Sequence, residues 1–250
     1  MADNTKKVII DVNSGNITDE YSKDKVTLVG VYPFKDIPYA DNIELVLNPE
    51  NGEPISINFP YSGYSMQLFV GDFTGDNKSE IMVRGAFGGS GGFEIAVIYK
   101  YEDKRLIEIF NQDLVNQNNP CTAKYKDNYK VHVNCDDKKY SIDISSRPKE
   151  YLEQIYTPKG AVKPNYEPYV DSPNAIYPIK QVYNDAYQLL IQQRIVGIAN
   201  ADTLGVIETL ASLINSEFEV IYKGLLLPQY NFDSRKVSKK LKTKNATNFF

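Results

Sequence analysis

The chain has 250 residues, a formal net charge of −4 and 42% hydrophobic residues, ordinary values for a globular chain that can bury a core. Its single histidine and two cysteines exclude zinc sites built from several histidines or from paired CxxC motifs. Nineteen tyrosines and eleven phenylalanines, with no tryptophan, favour β-strands, whose pleated surfaces pack aromatic side chains well. We therefore expect an all-β, or at least β-dominated, chain.

The first polar loop spans residues 15–24 and precedes the apolar run of residues 25–29. Four of its residues carry side-chain oxygens at near-alternate positions: Asn16, Thr18, Glu20 and Asp24. A polar segment that leads into an alternating apolar run predicts a loop followed by a β-strand. Two β-hairpins are also predicted, one over residues 42–59 with a turn at 48–52, and one over residues 93–110 with a turn at 102–104.

A second polar loop, residues 71–80, aligns with the first without a gap and leads into residues 81–83. Its candidate metal ligands are Asp72, Thr74, Asp76, the carbonyl group of Lys78, and Glu80. Oxygen ligands at this spacing suit Ca²⁺. An EF-hand would need a glutamate where this chain has Val83. The sequence therefore predicts a weak calcium loop between two strands, with a plain solvated turn as the alternative.

A glycine-rich segment follows: Gly88, Gly89, Ser90, Gly91 and Gly92. Its spacing matches the G-x-S-x-G pattern of a nucleophile elbow, but an elbow needs a helix after the serine, and residues 93–101 indicate a strand. No Gly-Lys-Ser/Thr follows, so the segment is not a P-loop. We expect no enzymatic activity. We interpret the segment as a wide loop and, together with surface tyrosines, as a candidate site for a small ligand or glycan.

The two cysteines, Cys121 and Cys135, flank a hairpin-like segment. A three-residue turn at residues 127–129 would place them opposite each other, within reach of a disulfide. In a reducing cytosol two free thiols are the expected state, and we take that state as the prediction. The only histidine, His132, lies in an alternating run and is interpreted as a structural strand residue.

One short helix is predicted near residues 148–156. Pro148 suits its first turn, and its apolar face is formed by Tyr151, Leu152, Ile155 and Tyr156. A third copy of the polar loop lies at residues 179–188, where Lys180 takes the first ligand position and would repel a cation. Residues 204–222 fit either a helix or a hairpin that turns at residues 215–216, and we predict the hairpin.

The loop copies are separated by 56 residues and then by 108, which is two steps of 54. The skipped copy, near residue 125, has no recognisable loop. This motif and period resemble the FG-GAP/VCBS repeat family of integrin-like β-propellers, in particular a group from spore-forming Gram-positive bacteria. The segments that carry this resemblance are residues 68–72, 88–93, 125–131, 176–179 and 200–205. It implies a small or incomplete propeller of about four blades over residues 1–232.

Residues 233–250 form a basic tail, and without the six positive charges of this tail the net charge of the chain would be near −10. Its cations are Arg235, Lys236, Lys239, Lys240, Lys242 and Lys244. We predict that this tail is disordered and solvated, with contact to an acidic surface as the alternative. The resemblance implies a structural or protein-interaction component, made in the cytosol and assembled onto the spore surface. A protein partner or self-assembly is expected, with neither nucleic-acid binding nor a signal peptide or membrane span.

Overall fold

The computed structural model describes residues 6–118, 120–182 and 184–227. The predicted basic tail, residues 233–250, lies outside the described residues. Within the described part of the chain, strands dominate and helices are few and short. Antiparallel pairing joins neighbouring strands throughout, so the predicted β-dominated class is confirmed.

The first sheet has eight strands: β1 (Val8–Gly15), β2 (Asp24–Val31), β3 (Tyr39–Asn48), β4 (Ile55–Asn58), β5 (Gly63–Gly71), β6 (Glu80–Gly88), β7 (Phe93–Glu102) and β8 (Arg105–Asn111). Their order is β1-β2-β3-β5-β6-β7-β8, and β4 pairs with β3. Strand β3 joins two halves of this sheet, because it pairs with β5 only at Tyr39 and Ala40. At its other end it pairs with β2 and β4.

The two halves of the first sheet enclose an apolar core. Side chains alternate along β2, so that Val26 and Leu28 are completely buried, while Lys25, the residue before Val26, is exposed. Side chains from both halves, including Val26, Leu28 and Val97, belong to one buried cluster. The backbone N–H of Leu68 in β5 donates to the carboxylate of Asp11 in β1 at 2.8 Å. The first sheet therefore folds back on itself, with β1 against β5.

The rest of the chain forms two smaller sheets with short helices. In chain order its elements are α1 (Leu114–Asn118), β9 (Cys121–Lys126), β10 (Lys130–Cys135), β11 (Lys138–Asp143), α2 (Lys149–Ile155), β12 (Tyr169–Ile179), β13 (Gln188–Val196), β14 (Thr203–Ser212), a 3₁₀ turn (Ile214–Ser216) and β15 (Glu219–Leu226). The three-stranded sheet has the order β11-β10-β9, and the four-stranded sheet has the order β12-β13-β14-β15.

The four-stranded sheet connects the other two through its inner face. At one end of β13, Leu189 packs in a cluster with Ile98 of the first sheet. At the other end, Ile195 packs with Val133 of the three-stranded sheet and with Ile155 of α2. Burial of these side chains is the main stabilising term that holds the three sheets together.

The propeller prediction is wrong. The sheets contain eight, three and four strands and are open, whereas a propeller repeats four-stranded blades around an axis. The predicted period arises from a recurring hairpin loop and not from a recurring blade. Other predictions are confirmed: the hairpins β3–β4, β7–β8 and β14–β15, and the helix near residues 148–156, which is α2. Helix α1, only five residues long, was not predicted because it is too short to show a helical period.

Candidate functional site

The last predicted calcium ligand, Glu80, points into the protein. Its side chain is 1% exposed. One carboxylate oxygen accepts hydrogen bonds from the backbone N–H groups of Phe73 (2.7 Å) and Thr74 (3.1 Å), and the other accepts from the hydroxyl of Thr74 (2.9 Å). Both oxygens are therefore engaged in holding the turn, in the way a helix cap satisfies free backbone donors.

The other carboxylates of this loop are also engaged. Asp72 accepts from the N–H groups of Gly75 (2.6 Å) and Asn77 (2.9 Å). Asp76 lies 3.0 Å from the ammonium group of Lys100 and 3.6 Å from that of Lys78. An ammonium group beside a carboxylate competes with a cation. The residues that are present therefore fit a hydrogen-bonded, ion-paired turn better than a Ca²⁺ cradle, and the described residues contain no metal-ligating cluster of three.

The first polar loop, between β1 and β2, has the same construction. Asp24 begins β2, is 0% exposed, and accepts from the N–H groups of Ile17 (2.9 Å) and Thr18 (2.7 Å). The hydroxyls of Thr18 and Ser22 donate to it at 2.9 and 2.6 Å, and the N–H of Glu50 donates at 2.9 Å. In both loops, the strand before the loop ends at a glycine. The residues two and three positions after that glycine donate hydrogen bonds to the side chain of the first residue of the next strand.

The two carboxyls differ in their pKa. Burial raises the pKa of Asp24, but the hydrogen bonds from Ser22, Thr18 and Glu50 outweigh burial and leave that pKa below its ordinary value. Burial also raises the pKa of Glu80, and there the hydrogen bonds from Phe73 and Thr74 are too few to offset it, so that pKa stays above its ordinary value.

The third polar loop, between β12 and β13, places the amide of Gln188 at the matching position. That side chain is 4% exposed, and its Oε1 has no hydrogen-bond partner among the described residues.

The three polar loops contact one another. Ser79 donates its N–H to the carbonyl of Asn16 at 2.8 Å, and Tyr187 donates its N–H to the carbonyl of Asp72 at 2.6 Å. The predicted loop copies therefore gather at one end of the molecule, with residues 72–79 in the middle.

The glycine-rich segment forms the turn between β6 and β7. Gly88, Gly89 and Gly92 have positive φ angles, which explains the need for glycine there. The hydroxyl of Ser90 accepts from the side-chain amide of Asn200 at 3.0 Å, and the carbonyl of Gly91 accepts from Arg194 at 3.1 Å. The strand that follows is β7, as predicted, so the geometry of a nucleophile elbow is absent at this position.

A row of paired residues crosses the first sheet beside that turn, and sequence reasoning missed it. Tyr39 of β3 pairs with Tyr64 of β5, Tyr64 pairs with Ala86 of β6, and Ala86 pairs with Glu94 of β7. The two tyrosine rings lie 5.0 Å apart, centroid to centroid. We call these four residues the tyrosine row. A Cβ added to Gly88 would lie 2.5 Å from the ring of Tyr64, so a glycine is required for this close approach.

The carboxylate at the end of the tyrosine row is held by an arginine. Arg84 donates twice to Oε1 of Glu94, at 3.0 and 2.6 Å. Burial raises the pKa of Glu94 by more than the positive charge of Arg84 lowers it. The guanidinium of Arg84 also lies over the ring of Tyr177, 4.9 Å from its centroid. At the opposite end of the row, Phe34 extends the aromatic surface, 6.1 Å from the ring of Tyr39.

A cleft of about 630 Å³ lies beyond Phe34. Its walls combine Val8 of β1 with apolar and charged residues of the β2–β3 connection: Tyr32, Phe34, Ile37, Lys35 and Asp36. The volume is within the range of small-molecule sites. Phe34 and Ile37 are 54% and 44% exposed, so the cleft continues the aromatic surface that begins at the tyrosine row.

A second row crosses the outer face of the four-stranded sheet. Tyr177 of β12 pairs with Leu190 of β13, Leu190 pairs with Leu210 of β14, and Leu210 pairs with Tyr222 of β15. We call these four residues the apolar row. Tyr177 and Tyr222 are 45% and 53% exposed, and the two leucines are half-buried. A contiguous apolar stripe of this kind on a sheet face is typical of an interaction surface.

The two cysteines form a disulfide, so the prediction of free thiols is wrong. Cys121 pairs with Cys135 across β9 and β10, and their sulfur atoms are bonded. The predicted three-residue turn at residues 127–129 is confirmed, and it sets this register. The local geometry already allowed the bond, and the prediction of free thiols depended instead on the assumption of a reducing compartment. His132 lies on β10, three residues before Cys135, at an exposed strand position.

The described residues contain no helix that is both long and apolar enough to cross a membrane.

A family model described as the YybI C-terminal domain matches residues 119–226. A protein of Bacillus subtilis (strain 168) with the name "Uncharacterized protein YybI" is 32% identical over 212 residues, which cover 82% of this chain and 79% of the relative. No solved structure matches. These matches, like the open sheets, contradict the predicted membership in the FG-GAP/VCBS repeat family.

Proposed function

This chain belongs to the YybI family, and we propose that it is a non-enzymatic assembly component that associates with a second copy of itself through the apolar row. The observation that carries the proposal is the continuity of the row. It spans all four strands of the sheet by direct pairing. A single exposed leucine needs no explanation, but an uninterrupted apolar stripe on an acidic chain does.

A second copy is a suitable partner for a sheet face. Two sheets pack face to face at about 10 Å when both present apolar side chains. A two-fold axis brings the same surface of each copy together, so one apolar row supplies both sides of the contact. Next to the row, Gln192 donates to Glu208 at 3.1 Å. That pair supplies a satisfied polar border of the kind that rims interfaces.

The proposal of a non-catalytic role is supported by how the reactive side chains are used. The hydroxyl of Ser90 is bonded to Asn200, and His132 lies on a different sheet. Carboxylates that are buried or half-buried, such as Asp24, Glu80 and Glu94, are all held by donors within the protein. These groups stabilise turns and pairs and are not arranged as an acid and a base around a shared cleft.

The disulfide supports a working environment outside the reducing cytosol, because disulfides persist mainly in oxidising compartments. We extend the proposal accordingly: the chain is made in the cytosol and assembled onto the spore surface, where Cys121 and Cys135 stay oxidised. A fluorescent fusion in a sporulating Bacillus strain tests the location. Alkylation of the extracted protein with a maleimide reagent tests the thiols, and we expect labelling only after reduction.

Sedimentation equilibrium tests the self-association. Leu210→Lys places a charge in the middle of the apolar row, and we expect it to raise the dimer dissociation constant by about thirty-fold or more, as for a central interface residue. Val182→Lys is the matched control, because Val182 is 91% exposed and lies outside the row. Circular dichroism verifies that both variants fold. A wild-type protein that stays monomeric at high micromolar concentration would refute the proposal.

A further inference from the structure

We propose that the tyrosine row is a binding site for a neutral oligosaccharide chain. This site does not depend on self-association, although Arg84 beside it stacks on the ring of Tyr177, which is a member of the apolar row. The row offers two tyrosine rings, a small residue and a carboxylate in sequence across four adjacent strands, from Tyr39 to Glu94. A pyranose ring has the complementary chemistry, with an apolar C–H face and hydroxyl groups around its edge.

The aromatic part of the row is accessible. Tyr64 is 38% exposed, and its ring meets Tyr39 edge to face. On the side of the turn, the ring packs closely against Gly88, whose φ is 84° and where an added Cβ would lie 2.5 Å from the ring, so the accessible face belongs to the ring's remaining surface. A face of this kind can stack on an apolar ring surface, while a tyrosine hydroxyl at its end remains hydrated.

We infer a notch at Ala86, because its methyl group lies between the larger side chains of Tyr64 and Glu94 in the strand register. Cross-strand neighbours lie about 5 Å apart, so the methyl group of Ala86 leaves space above it that is bordered by a ring on one side and a carboxylate on the other. Both hydrogen bonds from Arg84 end on Oε1 of Glu94. The second oxygen, Oε2, has no donor among the described residues and can accept a hydrogen bond from a sugar hydroxyl.

The site is preorganised, which reduces the entropic cost of binding. Arg84 is fixed by Glu94 on one side and by the ring of Tyr177 on the other. The adjacent turn is anchored to the four-stranded sheet by Asn200 and Arg194. None of these contacts would need to be broken when a ligand lies along the row.

Charge distinguishes among candidate ligands. Arg84 neutralises the carboxylate at the end of the row, whereas residues 1–232 as a whole carry a net negative charge, and that overall charge disfavours a polyanion. A protein partner would find only two rings and a notch here, in contrast to the uninterrupted apolar row. The combination of ring faces, a notch and a free carboxylate oxygen therefore favours a neutral sugar chain over an acidic polymer or a protein surface.

A fluorescence titration tests the site. The chain has no tryptophan, so Tyr64→Trp introduces a single reporter into the row. Cellohexaose and N-acetylchitohexaose are the probes, and oligogalacturonate is the anionic comparison. We expect a saturable change in tryptophan emission with at least one neutral probe and none with the anion. Adding Ala86→Leu to this reporter fills the notch, and we expect that it abolishes the response.

Calorimetry on variants without tryptophan completes the test. We expect Tyr64→Ala to weaken the association by about ten-fold or more, and Glu94→Gln by less, because the amide keeps an acceptor oxygen. Tyr21→Ala, at a site that is 87% exposed on another loop, should bind like wild type. Thermal melts confirm that each variant is folded. No heat from either neutral probe at millimolar concentration, or equal affinities of wild type and folded Ala86→Leu, would overturn the inference.

Failure of this inference is distinguishable from failure of the proposed self-association. Leu210→Lys, which tests the apolar row, should bind the neutral probe as wild type does, because Leu210 is not part of the tyrosine row. If Tyr64→Ala instead changed the sedimentation of the protein and left sugar binding intact, the tyrosine row would be a protein contact, and the oligosaccharide assignment would be wrong.

Discussion

The β1–β2 loop and the β5–β6 loop have the same hydrogen-bonding arrangement, but the pKa of the buried carboxyl is lowered in the first loop and raised in the second. Each is closed by a buried carboxyl at the start of the second strand, Asp24 in one and Glu80 in the other. The carboxyl of Asp24 accepts from two hydroxyl-bearing residues and from three backbone donors, and its pKa is lowered. The carboxyl of Glu80 accepts from fewer groups, and its pKa is raised.

The difference shows what these loops require at that position. A hydrogen-bond acceptor is common to both, whereas a stabilised negative charge is present only in the first. In the third loop a neutral amide, Gln188, takes the same place, and its Oε1 has no hydrogen-bond partner among the described residues, so that loop forms with neither a charge nor a bonded acceptor at this position. The alternating oxygens that predicted a calcium loop are thus explained as acceptors for the loop's own backbone.

The largest expected effect is that of Asp24→Ala. It would leave the N–H groups of Ile17, Thr18 and Glu50 without their acceptor in a buried place. We expect the free energy of unfolding to fall by about 3 kcal/mol, measured by urea denaturation. Glu20→Ala is the matched control on the same loop, because Glu20 is exposed, and it should change stability little. Equal effects from the two variants would refute the capping role of Asp24.

A smaller effect is expected for Glu80→Gln. The amide keeps an acceptor for Phe73 or Thr74 and removes a buried charge, so the free energy of unfolding near neutral pH should change by about 1 kcal/mol or less. Asp24→Asn should cost more, because charge-assisted hydrogen bonds are stronger than neutral ones. If Glu80→Gln proved the more harmful of the two, the contrast between the loops would be wrong.

The pH dependence of stability should have opposite signs for the two carboxyls. The lowered pKa of Asp24 gives stability that is present above its ordinary pKa of 3.8 and is lost as the pH falls through the folded-state pKa. The raised pKa of Glu80 gives stability that is present below 4.5 and is lost as the pH rises through the folded-state pKa.

Denaturation curves across this range separate the two contributions. Glu80→Gln should flatten the loss of stability just above pH 4.5, and Asp24→Asn should flatten the loss below pH 3.8. A Glu80→Gln variant that changed only the acid limb, below pH 3.8, would contradict the assignment.

The smallest expected effect is that of calcium. Lys100 is paired with Asp76, and both oxygens of Asp72 and of Glu80 are already engaged. Millimolar CaCl₂ should therefore shift the thermal midpoint of wild type no more than that of Asp76→Ala. A saturable stabilisation of wild type that disappears in Asp76→Ala would restore the calcium loop.

Local features of the fold could be predicted from the sequence because they depend on neighbouring residues. Turn residues and alternation located the hairpins, and Pro148 with an apolar face located α2. The partition into three open sheets could not be predicted, because strand order depends on contacts between distant segments. The tyrosine and apolar rows were missed for the same reason: Leu190 and Leu210 become neighbours only when the register of β13 and β14 is fixed.

The proposal that the apolar row joins two copies has one direct test. Both natural cysteines are in a disulfide, so Leu210→Cys introduces a single free thiol in the row. A short bis-maleimide should then link two chains into a covalent dimer at micromolar protein, and Val182→Cys, outside the row, should remain monomeric under the same conditions. Equal cross-linking of the two variants, or none in Leu210→Cys, would contradict self-association through this face.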